Sequence, residues 1–211
     1  MVKKFISIVF AMVAFFSVNN ASAQEPVNNF NKNEFQIGVY AGARDCDKNA
    51  FGDFAKNYVN NKDDNNLFDF GVNYQYLRNV NNRLGVGAEA NLGFSHANLE
   101  NQKGDETGSL RQINASLMGV GRFYWIHKDH FGLYSKLALG AEATNKDVVL
   151  NEDFKKEQNV SDKALEGDQQ VRFAVKGSPI GIDFGGKHIR GFVETNISTS
   201  VTVTAGAKFS F

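Results

Sequence analysis

The sequence predicts an all-β protein, an eight-stranded antiparallel up-and-down transmembrane β-barrel. Three observations predict this fold class: a secretory signal opens the 211-residue chain, the remainder alternates between apolar and polar residues in eight segments, and the connections between segments are mostly long and short in turn. After residue 23, no apolar stretch approaches the roughly 18 residues of a membrane helix. Since only helices and closed barrels satisfy every backbone polar group in lipid, a membrane-embedded chain of this kind must form a barrel.

The first 23 residues have the three parts of a secretory signal peptide. Two lysines are followed by a short apolar run and then by the small residues Ala21-Ser22-Ala23. We expect cleavage between Ala23 and Gln24. An uncleaved anchor is the alternative, which the shortness of the apolar run disfavours. The predicted organisation is therefore a signal peptide, a short periplasmic N-terminal segment and an outer-membrane β-barrel domain, at 1–23, 24–33 and 34–211.

Three segments at the start of the mature chain alternate with the period of two that is typical of β-strands. In the second of them, Phe68 and Phe70 lie on one face, and Asp69 and Gly71 lie on the other. The same pattern holds in all three, which are 34–44, 67–77 and 84–95. In the noisier 110–125, Ile113 still opposes Asn114. In 131–144, Leu137 opposes Lys136.

The sixth segment, 170–184, changes phase partway along. Val175 belongs to one apolar series and Ile180 to the next, and the two series are out of step across Gly177-Ser178-Pro179. Because proline cannot donate to a β-ladder and an extra residue shifts the pairing, we expect a β-bulge at this point. Of the last two segments, 188–197 has the weakest pattern, whereas 201–211 alternates without interruption.

The connections follow the rhythm of outer-membrane barrels, in which outer loops are long and periplasmic turns are short. With both termini in the periplasm, the long polar connections face the cell exterior. They are 45–66, 96–109 and 145–169, and the short ones are 78–83, 126–130 and 185–187. The last outer connection, at 198–200, breaks the rhythm because it is very short.

Glycine indicates which face of the strands points inward. Most strand glycines share the polar face, and an eight-stranded lumen has room only for packed side chains. We therefore expect the polar face to line the lumen and the apolar face to meet lipid, in contrast to a soluble ligand-binding barrel with an apolar interior. Two bands of aromatic residues on the apolar face support this orientation. The band near the periplasmic ends contains Tyr74, Tyr76, Phe123, Trp125, Phe131, Phe209 and Phe211, and the outer one Phe68, Phe70, Phe94 and Phe173.

With these features the chain resembles a known family. The signal peptide, the eight amphipathic segments, Arg122-Phe123-Tyr124-Trp125 at a strand end and Phe209-Ser210-Phe211 at the terminus are similar to the small OmpA/OmpX-type outer-membrane barrels of Gram-negative bacteria. Within them, the chain looks most like the porin-like group with an outer membrane protein beta-barrel domain, over roughly residues 34–211. The resemblance implies that Phe211, with Phe209 on the same face, is a terminal assembly signal read by the barrel-assembly machinery.

Charged residues collect on the predicted lumen face, where each must be paired or solvated. They give two alternatives, a structural ion-pair network that plugs the lumen and a gated narrow ion path. The candidate residues are Glu89, Arg122, Lys136, Glu142, Arg172, Lys176, Arg190, Glu194 and Lys208.

Other reactive residue types give weak signals. His127 and His130 fall in a predicted tight turn with few carboxylate partners, so we expect no metal site. Ser95 and His96 lie near a rim, where a lipid-modifying enzyme would need them together, but adjacent strand residues point to opposite faces. The single cysteine, Cys46, cannot form an internal disulfide and is interpreted as an incidental loop thiol.

The sequence favours a non-enzymatic, cofactor-free protein of the cell outer membrane with a structural or surface-interaction role. The alternatives are a narrow porin-like channel for ions or very small solutes and, less favoured, a lipid-modifying enzyme. Expected partners are outer-membrane lipid, the barrel-assembly machinery and an unidentified extracellular ligand or surface. With a formal net charge of zero, nothing indicates nucleic-acid binding. We expect a monomer.

Overall fold

A computed structural model describes residues 32–45, 66–100, 106–151 and 169–211. Eight antiparallel strands pair in sequence order and close into a barrel, because the last strand pairs with the first. In the described ranges, no helix is long and apolar enough to cross a membrane. The strands are β1 (Asn33–Asp45), β2 (Asn66–Asn79), β3 (Leu84–Glu100), β4 (Glu106–His127), β5 (Phe131–Leu150), β6 (Gln169–Gly185), β7 (Ile189–Ile197) and β8 (Ser200–Ser210).

The predicted fold class is confirmed, and each predicted segment corresponds to one strand. Two predicted connections were wrong in extent. Most of 96–109 is strand, because β3 continues to Glu100 and β4 begins at Glu106. Likewise β5 continues to Leu150, into the predicted loop 145–169. The alternating pattern missed these extensions because strand pairing beyond the lipid needs no apolar face, so polar residues such as Lys146 and Asp147 no longer mark the end of a strand.

The two ends of the barrel differ. One end, here called the turn end, holds the short connections β2–β3, β4–β5 and β6–β7 together with the chain terminus, where Asn33 and Phe211 exchange two backbone hydrogen bonds of 2.9 Å. The other, the loop end, holds the connections that include 46–65, 101–105 and 152–168 and the tight β7–β8 turn.

Apolar side chains cover the outside of the barrel, and most of the side chains inside it are polar. Val39, Phe173 and Val201 expose 64%, 73% and 63% of their surface, whereas Arg122 is fully buried. A soluble barrel would have the reverse arrangement, with its apolar residues turned inward and its polar residues wetted. A wall with this much outward apolar surface is stable only in lipid, so the barrel is a transmembrane one.

Inward glycines allow the strands and lumen side chains to approach closely. A Cβ atom on Gly140 would collide with the backbone of β4, and one on Gly93 would collide with the Tyr40 hydroxyl. On the outer face, Gly121 has nothing within 4 Å of the position a Cβ would take. Steric crowding in the lumen therefore accounts for the placement of glycine on the polar face.

The predicted phase change in β6 is confirmed as a bulge. Ser178 pairs with Lys136 and Gly181 with Tyr134, so two residues of β6 lie opposite the single residue Ser135 of β5. A second bulge lies in β4, the other neighbour of β5. There the pairing of β4 with β5 skips Trp125. The Ser135 hydroxyl accepts a hydrogen bond from Trp125 Nε1 at 2.9 Å and donates one to the Pro179 carbonyl at 2.6 Å, so it satisfies polar groups of both bulges.

Candidate functional site: the charged lumen

The lumen contains three layers of ion pairs, one above another from the turn end to the loop end. The turn-end layer consists of Glu34, Arg122, Asp183, Arg190 and Lys208; the middle layer of Glu89, Lys136, Lys176 and Glu194; and the loop-end layer of Arg44, Asp69, Glu142 and Arg172. Strand alternation places these side chains inside, since every second residue of a strand faces the lumen.

In the turn-end layer, cations and carboxylates alternate across the barrel. Asp183 accepts from Arg190 Nη1 at 2.7 Å and from Lys208 Nζ at 2.6 Å. On the opposite side, Glu34 accepts from Arg122 Nη1 at 2.9 Å. Arg190 also donates through Nη2 to two backbone carbonyls of the β4–β5 turn, each at 2.9 Å. The layer therefore connects strands of opposite walls and fixes one of the turns.

Tyrosine rings complete this layer. The Tyr124 hydroxyl donates to Glu34 Oε2 at 3.1 Å and accepts from Lys208 Nζ at 3.1 Å. The Arg122 guanidinium lies 4.4 Å from the centroid of the Tyr134 ring, which is within the range of a cation–π interaction. These bulky aromatic rings occupy space that a water-filled channel would require.

The middle layer is centred on Lys136. Its ammonium group donates to Glu89 Oε2 at 2.7 Å and to Glu194 Oε1 at 2.5 Å, and both carboxylates are buried. Glu194 also accepts from the Tyr134 hydroxyl at 3.1 Å, and Glu89 forms a second ion pair with Lys176. Each buried charge thus has partners of opposite sign, as desolvated charges require.

An apolar cluster lies beside the middle layer. It consists of Leu77, Met118, Val120 and Ala138, all buried, with Ala174 packed against them. Strand alternation had predicted a polar lumen face, so an apolar cluster inside was not expected. These residues fill part of the lumen at this level with apolar side chains.

The loop-end layer is more open than the other two. Arg44 Nε lies 3.2 Å from Asp69 Oδ2, and Arg44 Nη1 lies 3.0 Å from Glu142 Oε1. A polar cavity of about 30 Å³ lies at this level, between the Arg44, Lys176 and Thr204 side chains. A cavity of this volume can hold a few water molecules and nothing larger.

Eight of the nine residues predicted for the lumen are buried inside it. Arg172 is different: it lies at the mouth with 43% of its side chain exposed and reaches Glu142 at 2.6 Å. Four charged members of the layers were not among the predicted site residues, namely Glu34, Arg44, Asp69 and Asp183. Alternation could have found all four, since each lies on the polar face of its segment. For Asp183, the alternation has to be counted from the bulge onward, where Ile182 and Phe184 face outward.

The other residues singled out in the sequence lie apart from this site. Ser95 is buried and donates to Asp69 Oδ1 at 3.0 Å, whereas His96 is exposed and contacts Asn98, so the two do not form a catalytic pair. His127 and His130 each contact a backbone carbonyl in the turn region. Among the described residues, no cluster of His, Cys, Asp and Glu could hold a metal ion. Cys46 and the cleavage site at Ala23 and Gln24 lie outside the described residues.

The similarity of one solved structure, that of OprG, agrees with this fold. No family model and no curated protein matches the sequence. The outer membrane protein OprG from Pseudomonas aeruginosa matches with a TM-score of 0.55 and 12% identity, over 86% of this chain and 96% of OprG. Ail, the attachment invasion locus protein of Yersinia pestis, matches with a TM-score of 0.49 and 14% identity, over 86% and 99% of the two chains. Outer Membrane Protein W of E. coli matches with a TM-score of 0.43 and 13% identity, over 86% and 98%.

At this level of identity, the similarity to OprG concerns the fold alone. It agrees with the closed eight-stranded sheet, and the apolar exterior independently requires a lipid environment. The chain is an outer-membrane β-barrel with the fold of the small OmpA/OmpX-type barrels.

Proposed function

We propose that this protein is a sealed, non-enzymatic barrel with a structural and surface-interaction role, working as a monomer. The observation that carries the proposal is the filled lumen. Three layers of ion pairs, two buried tyrosines and an apolar cluster occupy most of it and leave only a water-sized cavity near the loop end. An ion could pass only by separating buried ion pairs, which is costly because each charge would lose its partner without gaining water.

The strand lengths support a role at the surface. β3, β4 and β5 contain 17, 22 and 20 residues, whereas a tilted membrane strand needs about 9–11. In contrast, β7 and β8 contain 9 and 11. The long strands therefore project past the lipid on one side of the loop end. A rigid hydrogen-bonded sheet in that position would hold the polar loops away from the membrane, where a partner surface can reach them.

Planar-bilayer recording tests the sealed lumen. We expect the refolded mature protein to give no discrete conductance steps. A Lys136→Ala/Arg122→Ala double variant removes side chains from two layers and should give small steps, whereas Arg111→Gln, on the outside of β4, should stay silent. Discrete, reproducible steps from the unaltered protein would overturn the sealed-barrel proposal in favour of a narrow channel.

Whole-cell adhesion tests the surface role. Cells carrying the protein are compared with cells carrying a variant in which residues 152–168 are replaced by a short Gly-Ser linker. We expect adhesion to epithelial monolayers, or autoaggregation, to fall severalfold while the amount of folded barrel in the outer membrane stays the same. Unchanged adhesion in this variant and in a matching variant of residues 46–65 would contradict the proposal.

A further inference from the structure

The turn end of the barrel carries a ring of exposed cations. These rim cations, as we call them, are Lys32, Arg78, Arg83, Lys128 and Lys187. Against them, the exposed residues described at this end include one acid, Asp129, which lies 3.6 Å from Lys187. The long loops at the other end have the opposite sign, with eleven acidic and seven basic residues in 46–65, 101–105 and 152–168. The surface charge is therefore unequal at the two ends, and the basic end is the one with short turns.

The rim cations lie at strand ends and in tight turns whose backbone is hydrogen-bonded. The Lys32 carbonyl accepts from the Asn79 amide at 2.8 Å, and the Arg83 carbonyl accepts from the Tyr124 amide at 2.7 Å. The Lys128 amide and carbonyl are both hydrogen-bonded to Phe131 across the β4–β5 turn. The backbone that carries the basic side chains is thus held in place around the barrel.

Exposed aromatic residues border the rim cations directly. Trp125 exposes 63% of its surface and Phe211 exposes 64%, and Phe131 follows the turn that holds Lys128. Aromatic side chains of this kind mark the boundary between hydrocarbon and headgroups. Charged side chains just beyond that boundary lie at the depth of lipid phosphates.

We propose that the rim cations form a binding surface for the headgroups of anionic phospholipids, such as phosphatidylglycerol. Lysine and arginine attract lipid phosphates electrostatically, and arginine can bind them through two parallel hydrogen bonds. The Lys187–Asp129 pair is no obstacle, since both side chains are 63% exposed and a surface ion pair at 3.6 Å contributes little. The surface would select the lipid around the turn end of the barrel, independently of what the loops bind.

Trp125 is a built-in reporter for this interaction. It is the only tryptophan in the chain, and it follows Tyr124, whose amide is bonded to Arg83. The protein is reconstituted in vesicles with brominated phosphatidylglycerol or brominated phosphatidylcholine, and Trp125 quenching gives the relative affinity for the two lipids. At low salt we expect about a fivefold preference for phosphatidylglycerol, which should shrink as salt rises.

Substitution of the rim cations tests their role. In an Arg78→Gln/Arg83→Gln/Lys128→Gln/Lys187→Gln variant, the preference should fall to about one, as expected from the loss of the headgroup attraction. Arg83→Lys should keep most of it, and Arg111→Gln, an exposed cation near the loop end, should keep all of it. Heat-modifiable gel migration confirms that each variant is folded. Should the quadruple variant fail to fold, Arg83→Gln alone must still lower the preference measurably.

Equal quenching by the two lipids in the unaltered protein would overturn the proposal, and so would a preference that survives in the quadruple variant. A loss of preference in Arg111→Gln would equally contradict it, because the effect would then be one of total charge. Sedimentation with purified peptidoglycan provides the other comparison. Rim-dependent binding to peptidoglycan without any lipid preference would assign the surface to a different, acidic polymer and reject phospholipid as its partner.

Discussion

Individual charges in this barrel differ greatly in how far they depend on their partners. Lys136 and its two carboxylates are buried without solvent contact, whereas Arg172 reaches the same kind of partner from a half-exposed position. Breaking a buried ion pair leaves an uncompensated charge, but an exposed charge regains water. The structural importance of a lumen residue is therefore set by its depth more than by its number of ion pairs.

Lys136→Met should destabilise the barrel strongly. The change leaves Glu194 without its ammonium partner and leaves Glu89 with Lys176 only. We expect the free energy of unfolding to fall by about 3–5 kcal/mol, measured by urea titration in lipid vesicles with Trp125 fluorescence. Arg172→Gln is the matched control and should cost about 1 kcal/mol or less. Equal losses in the two variants would mean that depth in the lumen does not govern these pairs.

Gly140→Ala and Gly121→Ala should differ although both add one methyl group. At Gly140, the new Cβ would collide with the backbone of Leu117 and Met118, whereas at Gly121 it would point into open space. We expect Gly140→Ala to lower the free energy of unfolding by about 1–3 kcal/mol through overpacking. Gly121→Ala should be neutral or slightly stabilising. The same urea titration measures both, and a neutral Gly140→Ala would show that the sheet can widen at this position.

At the scale of single strands, the part of a strand within the membrane is constrained differently from the part that extends into water. Within the membrane band, each strand needs alternation, closure and fully satisfied backbone groups. The bulges of β4 and β6 break regular pairing, so hydroxyl groups satisfy the freed carbonyls: Ser135 donates to Pro179, and Thr195 donates to Ile180 at 3.2 Å. Past the membrane band, β3, β4 and β5 continue with polar residues because water is available.

Ser135→Ala should therefore lower the stability of the barrel more than the removal of a hydroxyl group that water can replace. The Pro179 carbonyl and the Trp125 indole would both lose their hydrogen-bond partner on the outer face. We expect a loss of about 1–3 kcal/mol in the free energy of unfolding in vesicles. Ser135→Thr keeps the hydroxyl and should restore most of the stability. If the alanine and threonine variants unfold at the same urea concentration, the hydroxyl has no such role.

Deletion of Phe211 tests the closing strand as an assembly signal. Asn33 and Phe211 are paired at the seam, and Phe35 of β1 lies opposite Phe209 of β8. Because closure removes the free edge, a weakened last strand should reduce the folded outer-membrane population severalfold in pulse-chase experiments with heat-modifiable migration. Asn159→Ala, in the long connection after β5, is the control and should assemble normally. Equal assembly of the two would remove Phe211 as an assembly signal.

The two ends of the whole barrel differ in structure and in charge, so the barrel is asymmetric along its axis. The turn end has short connections, paired termini and the rim cations, and the loop end has long strands and acidic loops. This arrangement matches a barrel whose turns face the periplasm. The orientation remains a prediction and can be tested directly.

Cys46 provides that test, since it follows Asp45, the last residue of β1 at the loop end. It is the only cysteine of the chain, so labelling is unambiguous. An impermeant maleimide should label it on intact cells of a capsule-free strain. As a control, a Cys46→Ser variant carrying Asn82→Cys in the β2–β3 turn should react only after the outer membrane is ruptured. The opposite pattern in the two proteins would invert the orientation.

The sequence by itself determined the fold class, the strand count, the outward face and the β6 bulge, because these depend on local alternation and on where glycine and proline fall. Val201, Val203 and Phe209 face outward for the same reason that every second residue of a strand shares one face. Even Asp183, absent from the predicted site, could be placed inside by counting from the bulge.

Only the tertiary structure decided which charges meet. Lys136 contacts residues 47 and 58 positions away in the chain, and Arg44 reaches Glu142 across 98 positions. Those contacts follow from closure, register and strand tilt, which place opposite walls within side-chain reach. The apolar cluster around Met118 and the strand extensions past the lipid were likewise invisible in the pattern. Alternation reports the environment of each face, and it carries no information on partners across the lumen or on pairing that continues in water.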